Sequence, residues 1–219
     1  AIVSQEKSYL SVIPDKRNPD IILIICPMWG LNMPPLGISY LYAYLKQEGY
    51  QASVLDINIE MFYKTADEYK DLWKMQNFRL WNDRHLFKDK ILSLFDKDID
   101  AYVNEIFTRE VKIVGFSVNA GNLLFSIELA KRIKERDQSK LIIFGGPHSK
   151  WFKTDINYLE QDHLQQYKDW YWGFYCGLVD IFVMGEGEVA LLEILRRFKN
   201  KKEMDQIPGT ILYKNRYLC

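Results

Sequence analysis

The chain of 219 residues lacks several features that would place it in a class at once. It has no excess charge, because 29 Lys and Arg balance 29 Asp and Glu. Without a basic arm or stripe there is no electrostatic footprint for a polyanion, so nucleic acid is not expected as a partner. No apolar run approaches the roughly 20 residues that cross a bilayer, and Ala1–Leu10 has mixed polarity without the apolar stretch of a secretory signal. Cysteine is scarce. Cys26, Cys176 and Cys219 are odd in number and far apart, which gives neither a disulfide framework nor a CxxC pair and predicts a soluble, cytoplasmic protein. His85, His148 and His163 fall at no H-x-H or H-x-x-x-H spacing, so a zinc site built by the protein alone is not expected. A nucleophile elbow, a P-loop and a C-x-x-x-C-x-x-C motif are all missing.

What is present is a rhythm of short apolar segments. Asp20–Cys26 is a near-continuous hydrophobic run, as in a strand covered on both faces. It ends in a loop rich in Pro and Gly, Pro27–Pro35, and Leu36–Glu48 then has helical spacing, with Ile38, Leu41, Tyr44 and Leu45 on one side and Gly49 as a stop. Further strands are predicted at Gln51–Asp56, Lys112–Ser117, Leu141–Phe144 and Asp180–Met184. Helices are predicted from Leu123 to Arg136, with Leu123, Ile127, Ala130 and Ile133 as the buried stripe, and after Gly187, with Val189, Leu192, Leu195 and Phe198 as the stripe. Gly209–Tyr213 and Arg216–Leu218 form a terminal hairpin pattern. Strands alternating with helices predict an α/β fold, a Rossmann-like or flavodoxin-like parallel sheet of five strands with helices on both faces.

Two aromatic-rich stretches interrupt the rhythm. Residues 59–110 contain no glycine or proline and read as an amphipathic helical insertion after the second strand, and residues 149–178 form a second excursion. These aromatics either cap the sheet as core or, because both stretches follow strand C-terminal ends, wall a large site.

In a parallel sheet the loops after the strands gather on one edge, where helix N-termini also offer free backbone amides. Candidate site residues are therefore expected there. Gly185-Glu186-Gly187-Glu188 formally matches a dinucleotide fingerprint, but it lies in the last βα unit and places carboxylates where a pyrophosphate would go. Its glycines make a tight turn, let a ligand approach backbone, or do both. Gly145-Gly146 leaves no side chain between backbone and an approaching flat ligand or nucleotide tail, or else marks a strained turn before Pro147. Ser117 can exchange a hydrogen bond with the cleft, Asn58 and Asn119 are short amides at strand ends, and His148 suits hydrogen bonding better than metal ligation.

Taken in order, these strand-end sequences resemble the cobalamin-binding domain at the N-terminus of cobalamin-dependent radical SAM enzymes. The residues that carry the resemblance are Pro34–Leu41 (PPLGISYL), Val54–Asn58 (VLDIN), Val114–Ser117 (VGFS), Phe144–His148 (FGGPH), Gly185–Glu188 (GEGE) and Ile207–Gly209 (IPG). The wider family carries D-x-H-x-x-G, S-x-L and G-G at these strand ends. Here Asp56 is kept but Asn58 replaces the ligating His and Met61 the Gly, Ser117-Val118-Asn119 keeps only the Ser, and Gly145-Gly146 is intact. The resemblance implies a corrinoid bound base-off with no histidine on cobalt, its tail near Ser117, Gly145, Gly146, Gly185, Glu186 and Gly187. Met28 and Trp29 would pack against the lower corrin face, and Pro35, Leu36, Gly37, Asp56, Asn58, Val118, Asn119, Pro147 and His148 are the further cofactor-binding residues implied. The implied chemistry is methyl transfer by a longer enzyme, whose radical SAM domain, with its 4Fe–4S cluster and S-adenosylmethionine, is expected after residue 219. No catalytic residue is expected in this module. A flavodoxin-like FMN-binding or protein-interaction domain is the alternative. A nucleotide-dependent enzyme of another kind would need a base or nucleophile with a supporting partner, and none is found.

Overall fold

A computed structural model describes residues 18–147, 177–214 and 217–218; the second aromatic excursion lies almost wholly outside them. Strand β1 (Ile21–Ile25) is followed by α1 (Leu36–Gln47) and β2 (Ala52–Asp56), and α2 (Ile57–Lys64) starts directly at the strand end. Tight 3-10 turns at Asp67–Trp73 and Met75–Asn77 lead through α3 (Phe78–Asn82), α4 (Arg84–Leu86) and a π-helical turn, Phe87–Leu92, into α5 (Ser93–Thr108). Then come β3 (Ile113–Ser117), α6 (Leu123–Arg136), β4 (Leu141–Gly145), β5 (Ile181–Val183), α7 (Glu188–Lys199), β6 (Thr210–Lys214) and β7 (Tyr217–Leu218).

The sheet order is β2-β1-β3-β4-β5-β6-β7. The first five strands are parallel, and the terminal hairpin continues the sheet in antiparallel fashion from β5. This is the Rossmann-like arrangement predicted from the strand rhythm. The register places Asp56, Ile25, Ser117 and Gly145 in one row at the C-terminal edge. The order reverses between β1 and β3, which opens a crevice at that edge because consecutive connections leave in opposite directions.

Side-chain alternation sorts the core into two layers. Ile22, Ile24, Val114, Phe116, Ile142 and Phe144 face α2, the insertion and α6. Ile21, Leu23, Ile25, Ile113, Ile143 and Val183 face α1 and α7. Every residue of β1 is buried, as expected of a central strand in a doubly covered parallel sheet.

The expected stripe of α6 is buried at all its positions. That of α7 is rotated. Its buried residues are Ala190, Leu191, Leu192, Ile194 and Leu195, whereas Val189 is 72% exposed and Phe198 37% exposed. Val189 falls on the side of the helix away from Leu191 and Ile194, and Phe198 sits in the last turn. In α1 only Ile38 and Leu45 are fully buried.

The insertion has its own aromatic nucleus. Trp73 meets Trp81 edge-on at 5.2 Å and Phe95 at 5.9 Å, and Trp81 lies nearly parallel to Phe95. The Trp81 indole donates to the Leu72 carbonyl at 2.8 Å. This donation matters because the 3-10 turn around Leu72 leaves carbonyls without helical partners. Trp81→Ala removes a fully buried ring and this cap together, so it should destabilise the fold by about 3–5 kcal/mol, seen as a lowered urea midpoint in equilibrium unfolding.

Candidate functional site

The crevice at the C-terminal edge holds a cavity of about 340 Å³, at the small end of the roughly 300–1,000 Å³ usual for ligand pockets. It lies on the α1/α7 side of the sheet. Its floor is Leu23 of β1, Gly115, Phe116 and Ser117 of β3, Ile143 and Gly145 of β4 and Val183 of β5. Trp29 and the Met33–Ile38 segment form one wall, and Gly185–Glu188 with Leu191 the other.

The lining is shaped by glycines with distinct roles. Gly146 has φ +100°, and a Cβ there would come within 2.7 Å of the Val118 nitrogen, so only glycine lets β4 leave the sheet this close to the β3 loop. Gly115 is a notch within a strand. A Cβ on it would meet Leu23 at 3.2 Å and Ile21 at 3.4 Å, and its bareness deepens the floor between Leu23 and Ile143. Gly37, at the start of α1, faces open space.

Electrostatically the lining is sparse. Glu186 and Glu188 are the charged residues among the described ones, and no Lys, Arg or His joins them. Glu188 occupies the first turn of α7, where its carboxylate complements the helix dipole. The first turn of α1 carries no acid and has no side-chain cap. Leu36 and Gly37 of that turn line the same cavity, the Leu36 amide donating to the Pro34 carbonyl at 2.8 Å.

Of the residues expected at the site, Trp29, Pro35, Leu36, Gly37, Ser117, Gly145, Gly146, Pro147, Gly185, Glu186 and Gly187 come together around this cavity. Met28, Asp56, Asn58, Val118 and Asn119 do not line it, and His148 lies outside the described residues. Each of those five has another occupation. Met28 and Val118 are buried in the layer on the opposite face. Asp56 caps α2 by accepting from the Ile59 amide at 2.9 Å, and burial raises its pKa against the lowering effect of that bond. Asn119 accepts from the Gly121 and Asn122 amides at 2.7 and 3.0 Å and so shapes the turn into α6. Asn58 is 1% exposed, and its Oδ1 accepts from the Trp29 backbone N–H at 3.1 Å and the Trp73 indole at 3.0 Å.

Of the two readings of the first excursion, its aromatics serve as core and do not wall this cavity. No residue of 57–110 lines the cavity among the described residues, because the insertion packs on the other face of the sheet. Conversely, Leu23, Ile38, Leu41, Gly115, Phe116, Ile143, Val183 and Leu191 line the cavity without having been expected there. Most are core-type residues that strand parity brings to this face; a glycine within the β3 run was the one local sign.

A scan against known protein families gives no match, and none of the curated proteins matches the chain. Solved structures do. The radical S-adenosylmethionine methyltransferase TsrM from Kitasatospora setae, with tryptophan substrate and the SAM analogue aza-SAM bound, superposes with a TM-score of 0.54 at 16% identity, over 91% of this chain and 29% of that one. The same enzyme with cobalamin and a [4Fe-4S] cluster bound gives 0.53 at 16% identity, over 91% and 30%. The chain thus spans less than a third of its neighbours' length, and the likeness is one of fold.

Two outcomes follow from the packing at the edge. Gly146→Ala should lower stability by about 1–3 kcal/mol through backbone strain, measured as a shift of the thermal midpoint without ligand. Burial pushes the Cys26 thiol up to about 12 against the lowering effect of the Ser126 hydroxyl. At pH 8 iodoacetamide should therefore leave Cys26 unmodified in the native protein and alkylate it after denaturation, as mapped by peptide mass spectrometry.

Proposed function

We propose that the chain binds a corrinoid along the C-terminal edge of its sheet and serves as the cobalamin module of a radical SAM enzyme of methyltransferase type. The observation that carries this reading is a glycine-floored, apolar cavity at the β1/β3 switch point. The strand-end resemblance and the fold shared with TsrM support it. A flat heteroaromatic tail fits the slot between Gly115, Gly145 and Gly187, and a larger macrocycle has Met33 and Leu36, 65% and 61% exposed at the mouth, to cover.

The residues present fit such a group. Trp29, Leu36, Gly37, Ser117, Gly145, Gly146, Gly185 and Gly187 would hold it through apolar contact and backbone, and the first-turn amides of α1 are suited to its phosphodiester. The Asn58 oxygen, which stands where the classical pattern has its ligating histidine, is committed to two donors and faces away. We infer a base-off state with no histidine on cobalt. A bound corrinoid supplies cobalt-centred methyl transfer; this chain contributes orientation and shielding from water. The iron–sulfur cluster, S-adenosylmethionine and substrate would belong to a further domain of the parent enzyme.

FMN fits less well. Its dianionic phosphate would enter a cavity whose charged described residues are Glu186 and Glu188, with no cation to offset them.

Purified protein mixed with hydroxocobalamin and desalted should retain the corrin absorbance, whereas FMN should pass through. Gly37→Phe fills the mouth from a position where a Cβ meets nothing, and replacing a helical glycine costs no stability. It should keep or raise the thermal midpoint and abolish retention. Corrinoid in the flow-through of the unaltered protein, or retained FMN, would sink the proposal.

A further inference from the structure

The residue at the classical ligand position has a different job, and its partners say what that job is. Asn58 opens the first turn of α2, its carboxamide buried beneath the β1 loop. One oxygen accepts two donors that belong to different parts of the molecule. The Trp29 backbone N–H comes from the wall of the cavity, and the Trp73 indole N–H from the aromatic nucleus of the insertion on the opposite side of the sheet. Next to it, the Met28 N–H donates to the Gly121 carbonyl at 3.3 Å. A Cβ on Gly121 would come within 2.8 Å of the Met28 carbonyl oxygen and 2.9 Å of the Phe78 ring. The loop after β1 is thus gripped by α2, by the turn before α6 and by the insertion at once.

We propose that Asn58 is a positioning residue for the cavity, an acceptor that ties the Trp29 wall to Trp73 so that the helical insertion sets the shape of a site it does not touch. The role in ligand binding rests on the corrinoid reading; the tie between insertion and wall does not. A carboxamide suits the task because its oxygen has two lone pairs and the side chain carries no charge to desolvate. A leucine would leave two buried donors without an acceptor, and a histidine here would face the same two donors rather than the cavity.

The test uses the whole chain and two readouts. Hydrogen exchange of the Trp29 backbone amide reports the tie without ligand, and a visible titration with hydroxocobalamin reports the site. Asn58→Leu should speed Trp29 exchange by on the order of tenfold and weaken hydroxocobalamin binding to a similar degree. Asn58→Asp, which keeps the acceptor at the cost of a buried charge, should bring both readouts only part of the way back toward the original, with Trp29 exchange slower than in Asn58→Leu. Trp73→Phe keeps an aromatic ring at the position and removes the distant donor together with part of the indole, and it should also speed Trp29 exchange. Unchanged Trp29 exchange in Asn58→Leu, or in Trp73→Phe should Asn58→Leu fail to fold, overturns the tie. If the unaltered protein does not take up hydroxocobalamin, the corrinoid reading fails while exchange still decides the tie. Faster exchange with unaltered hydroxocobalamin affinity overturns the role of Asn58 at the site.

Discussion

Parallel pairing of β1 with β2 on one side and β3 on the other is the constraint on which the rest of the molecule depends. A strand in that position is covered on both faces and can carry only apolar side chains, which Ile21–Ile25 supply. Because connections on its two sides leave toward opposite faces, α1 and α6 diverge at its C-terminal end. The cavity opens at that end on the α1/α7 side, between the start of α1 and the Gly185–Glu188 turn. Its location follows from topology, and its depth from Gly115 and Gly145 in the adjacent strands.

The site is defined more by what it withholds than by reactive groups. Backbone, apolar side chains and a few glycines make up nearly all of its lining, and its charges are carboxylates. Such a surface offers contact area and close backbone approach to an apolar group, where dispersion and water exclusion would carry the binding. It does not suit a ligand held mainly by its phosphates.

The helical insertion illustrates how far local pattern carries. Its helical nature is legible, since residues 59–110 have no glycine or proline and an apolar spacing; the switch to 3-10 and π turns is not, because these are decided by how the aromatic rings pack. Its aromatics could be read as core or as the wall of a site, and they serve as core. Following a strand end put it at the correct edge, but the face it covers depends on the handedness of the crossover from β2 to β3. It packs on the layer of Ile22, Ile24 and Phe116, and Asn58 accepts hydrogen bonds both from its Trp73 and from Trp29 at the cavity wall.

Sequence alone determined the strands, their order of appearance and the glycine-rich edge. Apolar runs bounded by turn formers can be little else, and Gly146 and Gly185 sit at turns with positive φ, a local requirement that favours glycine. Only the tertiary structure decided which side chains at that edge face a ligand. Leu23 and Ile24 are neighbours of like chemistry, and strand alternation alone sends the first to the cavity and the second to the opposite layer. Asn58 and Asn119 looked alike as strand-end amides, but one joins two distant tryptophans while the other shapes its own turn. An amide's role is set by the donors the fold brings to it, and those donors are remote in sequence.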